Sequence, residues 1–218
     1  MELYQIENLL DSLDPQNRMR GMVELRKHPP DVVVPLLKER MYEKEFMIRS
    51  FVAMGLGNKR NEEAFQALLD LLEQETDHNV KAEIANSLAK YGDRAIPYLI
   101  KIFQQETHWL IRQSIFAVLE GTDNSDVMLQ LCRWGIEDDD VVVKQTAVEN
   151  LGRLHETESS QSALSILLSK ADANDVIIRS EVAKALVKFD EPSAKVALGK
   201  LRQDSDYRVI GATLEGLL

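Results

Sequence analysis

The chain repeats one short pattern, and that repeat limits its fold more than any other feature. In the clearest copy, residues 48–57 read IRSFVAMGLG: apolar, basic, two spacers, apolar at the fifth place, small at the eighth, Leu at the ninth and Gly at the tenth. Apolar residues at those offsets share one face of a 3.6-residue helix, and the closing Gly is expected to stop it. The frame returns at Val80–Ala89, Ile111–Glu120, Val143–Gly152, Ile178–Val187 and Val209–Leu218, with a weaker copy from Met19. Starts at 19, 48, 80, 111, 143, 178 and 209 give steps of 29, 32, 31, 32, 35 and 31. Seven such units use the whole of 1–218, so the expectation is one array, with units at 1–29, 30–58, 59–91, 92–121, 122–154, 155–189 and 190–218.

Each unit reads as a helical hairpin in which an outer helix precedes the organising helix that carries the frame. Outer helices are expected near 2–13, 31–42, 61–74, 93–105, 125–136, 159–170 and 192–202. Phe65, Leu68, Leu69 and Leu72, then Ile96, Leu99, Ile100 and Phe103, show their helical spacing. A helix with one apolar stripe needs a neighbour, and stacked hairpins supply it. With Asp31 and Asp93 as N-caps, Pro35 and Pro97 fall at the fourth helical position, where no intrahelical N–H bond is lost. Asn58, Gly92 and Gly121 mark turns, and Ala171–Asp175 takes the insertion of the longest step.

Charge follows the same period. The residue after each start is basic in six units: Arg20, Arg49, Lys81, Arg112, Lys144 and Arg179. An acid lies five before the start in six: Asp14, Glu43, Glu75, Glu106, Asp138 and Asp204. Acids in the turn cap the organising helix and meet its dipole. The bases one turn in reach acids of their own or the adjacent unit, which makes a structural ladder. Alternatively some guanidinium groups, those of Arg49 and Arg112 first, remain free for an acidic partner.

The motif D-x-D-x-x-V-R-x-x-A-x-x-A-L-G, at a period near 30, resembles the short HEAT-like repeat of the phycobilin lyase family; it is clearest at Glu43–Gly57, Asp138–Gly152 and Asp204–Leu218. The resemblance implies an all-α, right-handed superhelical solenoid of about seven short HEAT-like hairpins. It further implies kinship with small cyanobacterial members that associate with phycobilisomes without lyase chemistry. The expected function is a non-catalytic scaffold or adaptor acting on phycobilisome or photosynthetic proteins, in their assembly, maintenance or degradation, through a concave face lined by the organising helices. The competing class is a bilin lyase subunit or bilin-binding chaperone, with Arg49, Arg112, Trp109 and His108 lining a tetrapyrrole pocket.

The remaining residues narrow the chemistry. A net charge of −10 argues against general nucleic-acid binding and against docking on an anionic membrane. One cysteine, Cys132, excludes an internal disulfide and reads as a buried, inert thiol. The acidic start and lack of a long apolar run point to the cytoplasm, and the resemblance adds the cytoplasmic side of thylakoids. No metal or cofactor is expected: His78 and His108 lie in adjacent turns judged too far apart to share one zinc, and no H-x-x-x-H or C-x-x-C occurs. No phosphate loop or nucleophile elbow is present, so no catalytic residue is assigned. Two residues before the start stand Phe46, Trp109 and Tyr207. They either pack over the next turn or form, with Arg49 and Arg112, a row of partner-binding anchors.

Overall fold

The computed structural model describes residues 1–215; Gly216–Leu218, the last three places of the seventh frame, lie outside the described residues. The architecture is an all-α solenoid of helical hairpins, and no strand occurs among the described residues. The outer helices are α1 Leu3–Leu10, α3 Pro30–Lys38, α5 Glu62–Gln74, α7 Ile96–Gln105, α9 Ser125–Gly135, α11 Ser160–Ser169 and α13 Pro192–Leu201. The organising helices are α2 Pro15–Leu25, α4 Phe46–Lys59, α6 His78–Ala89, α8 Trp109–Leu119, α10 Val141–Arg153, α12 Val176–Leu186 and α14 Tyr207–Ala212. They gather into two compact units, Met1–Val118 and Leu119–Leu218. In the first, α2, α4 and α6 pack side by side; in the second, α10, α12 and α14 do the same.

The frame residues form the core. First-place Ile48, Val80, Ile111, Val143 and Val209 are 0% exposed, as are fifth-place Val52, Ile84, Ile115, Ala147 and Val182. From the outer helices Phe65, Leu68, Leu99 and Phe103 close the first unit, and Leu131, Leu164 and Leu167 the second. Cys132 is buried among them, and burial pushes its thiol far up, which leaves it protonated and inert.

Several local expectations are corrected. The tenth-place glycine does not stop the helix: α4 runs on to Lys59 and α10 to Arg153. A Cβ on Gly57 would lie 2.5 Å from Cβ of Ser87, and one on Gly152 would lie 2.9 Å from Cβ of Ala185. The tenth place of one organising helix thus presses on the eighth place of the next, which explains why both are small. Asn58 is helical, and the chain turns instead at Arg60, in the left-handed region with φ 50°. Gly92 and Gly121 do make turns, at φ 66° and 73°.

The prolines also sit differently. Pro29 is the N-cap of α3 and Asp31 is in its first turn, so Pro35 falls inside the helix and does remove a bond. Asp93 belongs to a 3₁₀ turn, Gly92–Ala95, and α7 begins after it with Pro97 in its first two positions. In the first hairpin the frame starts at Asn17 rather than Met19. Asp14 then stands three before the start as the N-cap, bonding Gln16 N at 2.9 Å, like Asp77, Asp140, Asp175 and Asp206 in their turns. An Asn in the first, apolar place hid this register.

Candidate partner-binding edge

Several organising helices begin at a turn whose charges are arranged alike. Arg49 shows the full pattern. One guanidinium nitrogen bonds the carbonyls of Glu43 and Lys44, six and five residues back, at 2.7 and 3.0 Å. The other two grip Glu75 of the following turn, Nε to Oε2 at 2.6 Å and NH2 to Oε1 at 2.9 Å. Glu75 Oε1 in turn accepts the N–H groups of Thr76 and Asp77, both at 2.8 Å. Burial raises the Glu75 carboxyl, but the bonds from Arg49 and from those amides outweigh it and hold the group below its ordinary value.

Arg179 repeats the geometry with Ala173 O, Asn174 O and a two-point grip on Asp204, and Lys81 reaches Glu106 at 2.6 Å. Each of these three cations therefore binds the acid of the next turn. In the first hairpin the rung belongs to Arg18, not Arg20. Arg18 bonds Ser12 O and Leu13 O and meets Glu45 at 2.8 Å and Glu43 at 3.6 Å. Arg20 lies two places off the rung and is exposed, and Asp14 is a cap rather than a rung acid. Arg112 donates Nε to Phe103 O at 3.3 Å and lies 5.2 Å from the centre of that ring. Asp138 is buried and accepts the N–H of Asp140 at 2.9 Å. Lys144 has no ion pair among the described residues. The side chains of Arg49 and Arg179 are thus committed to the fold rather than offered to solvent.

The aromatic residues are placed the other way. Phe46, Trp109 and Tyr207 are the first residues of α4, α8 and α14, and they are 42%, 44% and 80% exposed. Sequence reading missed their companions: Met47 in the first unit, and Val141, Val142 and Ile177 in the second, all exposed in the first two helical positions. Their types differ, so only the shared helical position could have revealed them. In the first unit Phe46 and Met47 face a cleft of about 680 Å³, closed by Pro15, Met19, Asp77 and His78.

His78 and His108 do come together. Their rings stack with centroids 3.9 Å apart at 15°, closer than inter-helix spacing alone implies. His108 Nδ1 accepts the N–H of Leu110 at 3.3 Å, and the Trp109 ring lies 5.9 Å from it. No group of three or more His, Cys, Asp or Glu placed to hold a metal occurs among the described residues. No helix there is long and apolar enough to cross a membrane.

Comparison with known proteins agrees with this architecture. A structure of the complex of CpcE and CpcF of phycocyanin lyase from Nostoc sp. matches at TM-score 0.53 and 19% identity, covering 100% of this chain and 95% of that one. The YibA structure from Escherichia coli matches at TM-score 0.58 and 12% identity, covering 100% and 92%. At these identities the likeness is one of fold. No curated protein sequence matches the chain. The family model for HEAT repeats matches residues 33–120 and 129–217, and the chain belongs to the HEAT-repeat family.

Proposed function

We propose that the chain is a non-catalytic protein-binding scaffold or adaptor, working as one array over 1–218. In each unit the binding edge is formed by the N-terminal ends of its organising helices. One observation carries this reading. Bulky apolar residues occupy an exposed first or second position of α4, α8, α10, α12 and α14, where the core does not use them. Large rigid side chains outside the core are the anchors that interfaces are built on. The rung cations beneath them keep the turns rigid, which lowers the ordering cost of binding.

Phycobilisome or photosynthetic-apparatus proteins are the partners proposed, with action in their assembly, maintenance or degradation at the cytoplasmic face of thylakoids. The sequence resemblance to the phycobilin lyase family supports this, as does the fold shared with the phycocyanin lyase pair. No bilin or other cofactor is needed for such a role.

The test is capture of partners from a cyanobacterial lysate, with bound pigment followed by absorbance, using the wild type and Trp109→Ala. The variant should lose less than about 1.5 kcal/mol of stability, below the usual range for a buried Trp. It should bind its partner at least about 2 kcal/mol more weakly, the level that defines a hot spot. Unfolding of the variant with affinity intact would make the ring a core residue and defeat this reading. Faster covalent attachment of a phycobilin to its apoprotein in the presence of the chain would instead favour the bilin lyase alternative.

A further inference from the structure

The ladder has one rung whose acid is missing from the sequence. At the complete rungs the acid lies six residues before the next rung cation: Glu43 before Arg49, Glu75 before Lys81 and Glu106 before Arg112. Six residues before Arg179 the chain has Ala173. Lys144, the cation that this position would serve, is half-buried and makes no hydrogen bond or ion pair through its side chain among the described residues.

Resting on the protein-binding reading above, we propose that Lys144 receives the carboxylate of an Asp or Glu side chain from a protein partner. That carboxylate takes the place at this rung that Glu75 and Asp204 take at theirs. The surroundings define the rest of the partner. Val141, Val142 and Ile177 are exposed around the rung and correspond by repeat to Phe46, Met47 and Asn79, which line the cleft of the first unit. The partner segment therefore carries an acid flanked by apolar residues.

The flanking turns also hold Asp138, Asp139, Asp140, Asp172 and Asp175. These do not bar a further carboxylate, because the molecule contains the same situation twice. Arg49 stands beside Glu43, Glu45 and Asp77 and still holds Glu75; Arg179 stands beside Asp175 and Asp206 and still holds Asp204. The neighbouring acids are engaged by the backbone, Asp140 with Val142 N at 2.8 Å and Asp175 with Ile177 N at 2.8 Å. At the Arg49 rung Asp77 caps the next helix and at the Arg179 rung Asp175 and Asp206 cap theirs, and the cation selects one more acid.

The experiment uses the full chain with ¹³C-methylated lysines and two capped peptides, acetyl-Val-Glu-Val-amide and its Gln counterpart, with acetate as a third probe. The Glu peptide should shift the Lys144 resonance saturably, and the Gln peptide should bind at least tenfold more weakly. Binding, read by saturation transfer to the peptide, should be lost in Lys144→Met with its helical signal unchanged. Ala173→Glu should supply the rung internally, raising the melting temperature and abolishing the Lys144 response. Equal binding of both peptides, an acetate midpoint equal to that of the Glu peptide, or undiminished peptide binding in Ala173→Glu would each overturn the proposal. Loss of the lysate partner in Trp109→Ala alongside a silent Lys144 would overturn this assignment alone. A responsive Lys144 with Trp109→Ala still fully binding would instead overturn the aromatic edge.

Discussion

Arg49→Ala is expected to lower the stability of the first unit by about 3 kcal/mol, since breaking a buried pair strands the other charge. The stranded group is Glu75, whose side chain is 2% exposed and which loses both guanidinium bonds at once. Surface ion pairs contribute far less, so the corresponding loss for the exposed Lys38–Glu63 pair is below about 1 kcal/mol. Urea unfolding of Arg49→Ala, Glu75→Ala and the double variant should show strong coupling, with the double variant less damaged than the sum of the singles.

Acid adds a second readout. The Glu75 carboxyl is held below its ordinary 4.5 in the folded chain. Its contribution is therefore fully present above pH 4.5 and is lost as pH falls through the lowered value, because the unfolded chain takes up the proton first. The gap between wild type and Arg49→Ala should narrow below that pH. A gap that stays constant as pH falls through the whole acid limb of unfolding would show that Arg49 acts by packing alone.

Gly57→Ala is expected to cost about 2 kcal/mol, within the usual range for overpacking. Helix propensity alone would give the opposite sign, a gain of about 1 kcal/mol for replacing glycine by alanine in a helix. The close approach decides it. The new methyl would sit 2.5 Å from Cβ and 2.8 Å from Cα of Ser87, so two packed helices must separate. Ser87→Gly should recover part of the loss in the double variant, because it removes Cβ and Oγ but not Cα. Gly199, with nothing within 4 Å of its would-be Cβ, provides the control: Gly199→Ala should stabilise, by up to about 1 kcal/mol. If Gly57→Ala also stabilises, the glycine is not a spacing device.

Much of the fold was legible because the period is written in residue types that packing demands. Ile48, Val52 and Leu56 in one copy, and Val143, Ala147 and Leu151 in another, announce the same buried face. Legibility failed where a residue type serves two purposes. A glycine signals both a helix end and a close contact, and only the position of Ser87 tells which of the two Gly57 is. A proline beside an aspartate looks like a capped start, yet Pro29 took the cap of α3 and left Pro35 in the interior. In the first hairpin two arginines, Arg18 and Arg20, stand near the rung, and the carbonyls of Ser12 and Leu13 together with Glu45 single out Arg18.

The edge was harder to read than the core. Phe46, Trp109 and Tyr207 stood out as rings, whereas Val141, Val142 and Ile177 look like any core valine or isoleucine. Exposure is a property of position on the helix, and composition does not carry it. The contact between His78 and His108 depends on rotamers, which no spacing rule contains.

Because Arg49 and Arg179 each bond the carbonyls of their own turn and the acid of the next, a repeat in this protein has no self-contained edges. What can be excised or duplicated is a length of chain, not a hairpin. Removing one whole period leaves the ladder in register only if the cation upstream meets an acid downstream. By that accounting, deletion of residues 173–203 would bring Asp204 to the position now held by Ala173 and give Lys144 the partner that Arg179 has today. Insertion of a copied period ahead of Ala173 would complete one rung and pass the mismatch on to the next. The grammar of growth in this array is thus set by pairs 25 or 26 residues apart, Arg179 with Asp204 and Arg49 with Glu75, and loop boundaries do not define it.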